Sequence, residues 1–203
     1  MPKTVDYYFS LISPWTYLGG PRFAEITHRH EARVNYKPVN LGKVFEATGG
    51  LPLGKRSRER QNYRLMELER WHHYMGMPLN LHPAFFPADE KMAAFTVLAT
   101  IEAGHDPDAL VNAILRAVWA EDRDIADTAT LKGILNTLGL DADALLERAG
   151  APEMREQWIA NTTEAIERGV FGAPTYIYDD ELFWGQDRLE FLDRALHRRQ
   201  ARE

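Results

Sequence analysis

Apolar positions along this chain follow two rhythms. Short runs of β-branched and aromatic residues stand near both ends, and helical periods fill the long stretch between them. Val5-Asp6-Tyr7-Tyr8-Phe9 predicts a buried strand. A helix follows from Pro14 to about His30, with Ser13 as N-cap and Pro14 at the first helical position. Val34 to Val39 predicts a second strand, close enough to the first for a right-handed βαβ unit. Leu41 to Gly54 contains Thr48-Gly49-Gly50 and Pro52, and predicts a short turn and then a loop.

From Ser57 the period is helical. Tyr63, Leu65, Met66, Leu68 and Trp71 favour one broad face, Gly76-Met77-Pro78 stops that helix, and Pro83 to Pro87 makes a further break. Helices are expected over 89–103, 106–120, 128–138, 141–149 and 152–169. Strand character returns at Thr175-Tyr176-Ile177-Tyr178. Asp179-Asp180 makes a turn, Leu182-Phe183-Trp184 a short partner strand, and 187–197 a last amphipathic helix with a frayed charged end. The expected class is α/β. Residues 1–45 and 170–203 form one domain around a sheet, and 46–169 form an all-helical insertion.

Composition narrows the function. The 203 residues are 45% hydrophobic, enough for a sizeable core. A net charge of −6 without a basic block gives nucleic-acid binding little support. The first residues do not form a signal peptide, and no apolar stretch approaches membrane-spanning length, so a cytoplasmic protein away from membranes is expected. With no cysteine, disulfides, thiolate metal sites and a cysteine nucleophile are excluded. The seven histidines offer no metal-ligand spacing; His72-His73 are adjacent and diverge on a helix. No metal site is expected.

Ser13-Pro14-Trp15-Thr16 carries the most chemistry. A strand running into Ser-Pro-x-x at a helix N-terminus is the layout of a thioredoxin-type redox site, with hydroxyl residues where the two cysteines would stand. Thiol exchange needs a protein thiolate, so that reaction is absent. What remains is a hydroxyl at the positive end of a helix, suited to a small anion such as the thiolate of a separate molecule. The plain alternative is a helix cap alone. In Gly172-Ala173-Pro174-Thr175, a cis Pro174 would turn the Ala173 backbone outward as an edge for a peptide-like ligand; a simple turn proline is the other reading. Gln186-Asp187-Arg188 sits at the start of the last helix, either as a cap or as a holder of an amino-acid headgroup. Lys55, Arg56, Arg58 and Arg60 concentrate positive charge, as a solvated face or a carboxylate site.

The segments F-S-L-I-S-P-W-T-Y-L-G, K-P-V-N-L-G-K-V-F-E-A-T-G-G and G-V-F-G-A-P-T-Y-I-Y…F-W-G-Q-D-R-L, in this order, resemble the 2-hydroxychromene-2-carboxylate isomerases. That family is a DsbA-like branch of the thioredoxin superfamily related to kappa-class glutathione transferases, and the resemblance spans nearly the whole chain, including Y-R-L-M-E-L-E-R-W. It implies a thioredoxin-like fold with a large helical insertion, glutathione as cofactor, a small aromatic substrate and a homodimer. It assigns Ser13 to the glutathione sulfur, Ala173 and Pro174 to the cysteinyl backbone, and Gln186, Asp187 and Arg188 to the γ-glutamyl end. Lys55 and Arg60 are both candidates for the glycyl carboxylate. Trp15, Tyr17, Phe85 and Phe86 either line an aromatic pocket or belong to the core. Family members often carry asparagine where this chain has Gly50. The implied reaction is isomerisation by reversible thiolate addition. A glutathione transferase using the same site, and a non-catalytic peptide-binding or chaperone-like module, are the alternatives.

Overall fold

The computed structural model describes residues 3–200. Its elements are β1 (Thr4–Phe9), α1 (Pro14–Arg29), β2 (Arg33–Pro38), α2 (Leu41–Thr48), α3 (Arg58–Met75), α4 (Lys91–Glu102), α5 (Asp108–Trp119), α6 (Thr128–Thr137), α7 (Ala142–Ala149), α8 (Pro152–Glu167), β3 (Thr175–Tyr178), β4 (Glu181–Trp184) and α9 (Leu189–Gln200). Short 3₁₀ turns lie at Leu53–Lys55 and Gln186–Arg188. The charged residues beyond Gln200, expected as a frayed end, lie outside the described residues.

The strands form one sheet in the order β2-β1-β3-β4. β1 and β2 are parallel across the α1 crossover, while β3 runs antiparallel to both β1 and β4. Alternation along β1 separates two faces. Val5, Tyr7 and Phe9 point toward α1, where Tyr7 packs on Phe23 and stacks with Tyr176 at 5.1 Å between ring centroids. Tyr8 points the other way, into a smaller cluster with Val39, Val44, Ala165 and Ile177 beneath α2 and α8. The larger cluster continues from the α1 face through Ile114, Trp119, Leu131 and Leu145, so the inserted helices share a core with the sheet. Gly20 makes this close packing possible: a Cβ there would come within 2.1 Å of Asn112 Oδ1 on α5.

The strands and long helices fall where the hydrophobic pattern puts them, but residues 41–48 do not. They form helix α2 rather than a turn and loop. Asn40 caps it by accepting the Lys43 N–H at 3.2 Å, Gly49 closes it at φ +79°, and Val44 is fully buried. The expected domain boundary near residue 45 falls inside this helix. Among the described residues, no helix is long and apolar enough to cross a membrane.

Candidate functional site

Ser13 occupies the N-cap of α1, with Pro14 following at the first helical position. Its Oγ accepts the Thr16 N–H at 3.2 Å and donates to the Ala173 carbonyl at 3.3 Å. The peptide bond between Ala173 and Pro174 is cis, the first of the two readings that the local sequence left open. Two segments 160 residues apart therefore meet at one hydroxyl. Ser13 is largely buried at 7% exposure, and its donor proton turns about the C–O bond at little cost. The hydroxyl, the positive end of a 16-residue helix and the backbone before Pro174 converge on a place suited to a small anion.

The loop that delivers Ser13 is held from beneath by Glu90, a residue the sequence reading passed over. Ser10 Oγ donates to both Glu90 carboxylate oxygens, at 3.0 and 2.9 Å, and the Leu11 N–H donates at 2.5 Å. Among the described residues Glu90 has no cation partner. Burial pushes its carboxyl up to about 7, with a small addition from Asp89, against the pull of the Ser10, Leu11 and Ile12 donors. No local signal marks Glu90, because its partners lie 79 and 80 residues away.

The remaining expected residues scatter around this centre. Gln186 is buried against α1, where a Cβ on Gly19 would come within 3.0 Å of its own Cβ. Asp187 and Arg188 are exposed and pair with each other at 2.7 Å. Lys55 and Arg60 are exposed near the start of α3. Trp15 and Phe86 are half-buried against the main core, and Phe85 is exposed. Tyr17 is buried, and its hydroxyl donates to the Pro78 carbonyl at 2.6 Å, tying α1 to the segment after α3. At Gly50 a Cβ would come within 2.3 Å of the Phe45 ring. Phe45 thus fills the space that a side chain at residue 50 would need.

Arg64, one helical turn beyond Arg60, is the second residue that sequence reading missed. Its guanidinium lies over the rings of Phe86 and Trp119, at 5.5 and 5.7 Å from their centroids. Arg56 reaches toward the same region, held by a hydrogen bond to the Leu51 carbonyl at 2.8 Å. The basic run visible in the sequence was the signal, and its fourth-residue spacing from Arg60 could have extended it.

Comparison with known proteins bears on the fold and the family. The model of the DSBA-like thioredoxin domain matches residues 4–197. A 2-hydroxychromene-2-carboxylate isomerase from Sphingobium xenophagum is 33% identical over 197 residues, covering 97% of this chain and 99% of that protein. Human glutathione S-transferase kappa 1 is 23% identical over 209 residues, covering 97% and 92%. A solved structure of a 2-hydroxychromene-2-carboxylate isomerase superposes with a TM-score of 0.81 at 30% identity, covering 96% of this chain and 95% of that one. The fold is thus a DsbA-like thioredoxin fold, α/β with a large helical insertion. The chain belongs to the 2-hydroxychromene-2-carboxylate isomerase family within the DSBA-like thioredoxin group.

Proposed function

We propose that this chain is a glutathione-dependent isomerase of an aromatic substrate of the 2-hydroxychromene-2-carboxylate kind, with Ser13 facing the thiol. One observation carries the reading: the Ser13 hydroxyl meets the Ala173 carbonyl at a helix N-terminus that contains no protein thiol. These groups fit glutathione, since they combine a rotatable hydroxyl donor for sulfur with the backbone before a cis proline for a peptide. When bound, glutathione supplies a thiol that adds to a conjugated carbon and leaves again unconsumed.

The residues of the chain prepare that exchange. Ser13 turns its proton from the Ala173 carbonyl toward the sulfur, and the α1 N-terminus adds its dipole. A free thiol titrates near pH ~8.5, so donors that favour its anion raise the reactive fraction at neutral pH. Glu90 fixes the backbone of residues 10–12 and with it the position of Ser13. Ala173 and Pro174 present the backbone to the cysteinyl unit, and Gln186, Asp187 and Arg188 stand at the γ-glutamyl end. Lys55 or Arg60 serves the glycyl carboxylate, Trp15, Phe85 and Phe86 flank the aromatic substrate, and the buried Tyr17 backs them from the core.

Calorimetric titration with glutathione tests the reading, alongside turnover followed by thiol recovery. Binding at millimolar concentration or below, with all thiol recovered, is expected. Replacing Ser13 by alanine should cost about 1–3 kcal/mol of transition-state stabilisation. Glutathione consumed in step with product would favour the transferase reading that the kappa-class relative suggests. No binding at all would overturn both.

A further inference from the structure

Arg64 is built unlike the other cations near it. It is half-buried, yet among the described residues it forms no ion pair and no hydrogen bond. Its contacts are the faces of Phe86 and Trp119. Arg56 adds positive charge beside it, and burial together with that neighbour lowers the Arg64 guanidinium to about 10. A guanidinium withdrawn from water without a counter-ion is costly. Stacking orients it while leaving its N–H donors uncommitted. Beneath it, the buried Trp119 Nε1 also lacks a hydrogen-bond partner among the described residues. The half-buried ring of Phe86, an uncommitted fork of donors and unpaired positive charge form a receptor for a planar acid.

The place of this receptor ties it to the thiol site. Phe86 lies four residues before Glu90, and Glu90 holds Leu11, two residues before Ser13. Phe86 thus stands on the segment that leads into Glu90, the residue holding the loop that carries Ser13.

We propose that Arg64 is the specificity-determining anchor for the carboxylate of the electrophile, a planar aromatic or conjugated acid whose apolar body lies along Phe86. This rests on the reading above only for the identity of the electrophile. The exposed Lys55 and Arg60 remain for the glycyl carboxylate of glutathione.

Calorimetric titration with 2-naphthoate, its uncharged analogue 2-naphthamide, and glutathione separates these roles. The unaltered protein is expected to bind 2-naphthoate about tenfold or more tighter than 2-naphthamide. Arg64→Met should weaken 2-naphthoate by about tenfold or more and leave 2-naphthamide and glutathione within about twofold. Arg64→Lys keeps the charge but loses the planar fork, so it should weaken 2-naphthoate alone. It supplies the same test if the methionine variant does not fold. The proposal is overturned if the unaltered protein does not distinguish the two naphthalenes. It is also overturned if Arg64→Met weakens glutathione instead, or moves neither ligand. If glutathione fails to bind while 2-naphthoate binds through Arg64, the isomerase reading falls and the anion receptor stands.

Discussion

The sheet face beneath α8 and the first turns of α3 both concentrate charge, and they are built in opposite ways. Under α8, Asp6 accepts from Asn35 at 2.8 Å and from Arg168 at 2.5 Å. Lys37 pairs with Glu164 at 2.6 Å, and the Tyr8 hydroxyl donates to Glu164 at 2.9 Å. Each charge in that network finds its opposite within the chain, and hydrogen bonds from Asn35 and Arg168, with the charges of Lys37 and Arg168, hold the Asp6 carboxyl low despite its burial. Arg56, just before α3, and Arg60 and Arg64 on it form no ion pair among the described residues, although Glu59 and Glu67 lie on the same helix. Where charge serves architecture, this chain supplies both signs. Where a cation stands unpaired against aromatic rings, as Arg64 does, we propose that its counter-ion arrives with a ligand.

Glu90 stands between these cases, a half-buried carboxyl satisfied by donors but, among the described residues, by no cation. Truncating it should have the largest effect on stability. Glu90→Ala leaves Ser10 Oγ and the Leu11 N–H without their acceptor, at an expected cost of about 3 kcal/mol. For a chain of this size that lowers the melting temperature by roughly 6–12 °C. A change below a few degrees would remove Glu90 from its place under the site loop.

The pH dependence sharpens the same point. Because the folded Glu90 titrates at about 7, above its ordinary 4.5, the folded state holds a proton that the unfolded chain releases earlier. Its contribution is fully present below pH 4.5 and is lost as pH rises through about 7. Relative to Glu90→Gln, the unaltered protein should shed roughly 3 kcal/mol across that window in denaturant titrations. Parallel curves for the two proteins would contradict a buried, unpaired carboxyl.

Smaller effects separate the two charged regions. Arg168→Met removes the partner of Asp6 and a donor to Tyr8, and should destabilise by about 2 kcal/mol, discounted for the partial exposure of the pair. Arg64→Met orphans no acceptor and should change stability by no more than about 0.5 kcal/mol, read in the same denaturant series. Equal losses in the two variants would erase the distinction between structural and ligand-seeking charge.

What was legible in the sequence was local. Ser13 followed by Pro14 marks a helix start within two residues, and the strand runs at 5–9 and 175–178 announce themselves by composition. The joining of Ser13 to Ala173 spans 160 residues, and was expected through resemblance rather than through any spacing. Helix α2 was hidden by Thr48-Gly49-Gly50, although Asn40 followed by Leu41, Val44 and Phe45 carried a cap and an apolar face. Glu90 and Arg64 escaped because their roles exist only after tertiary contact. A glutamate before a helix and an arginine on one look solvated until Leu11, Phe86 and Trp119 close around them.

The central claim is that Ser13 stabilises the thiolate of a bound glutathione. The ultraviolet absorbance of that thiolate, titrated against pH with the unaltered protein and with Ser13→Ala, tests it directly. The account predicts a bound thiol that titrates below the ~8.5 of a free thiol, and moves back toward that value when Ser13 is alanine. A bound thiol that titrates like free glutathione, or that is indifferent to Ser13, would contradict it.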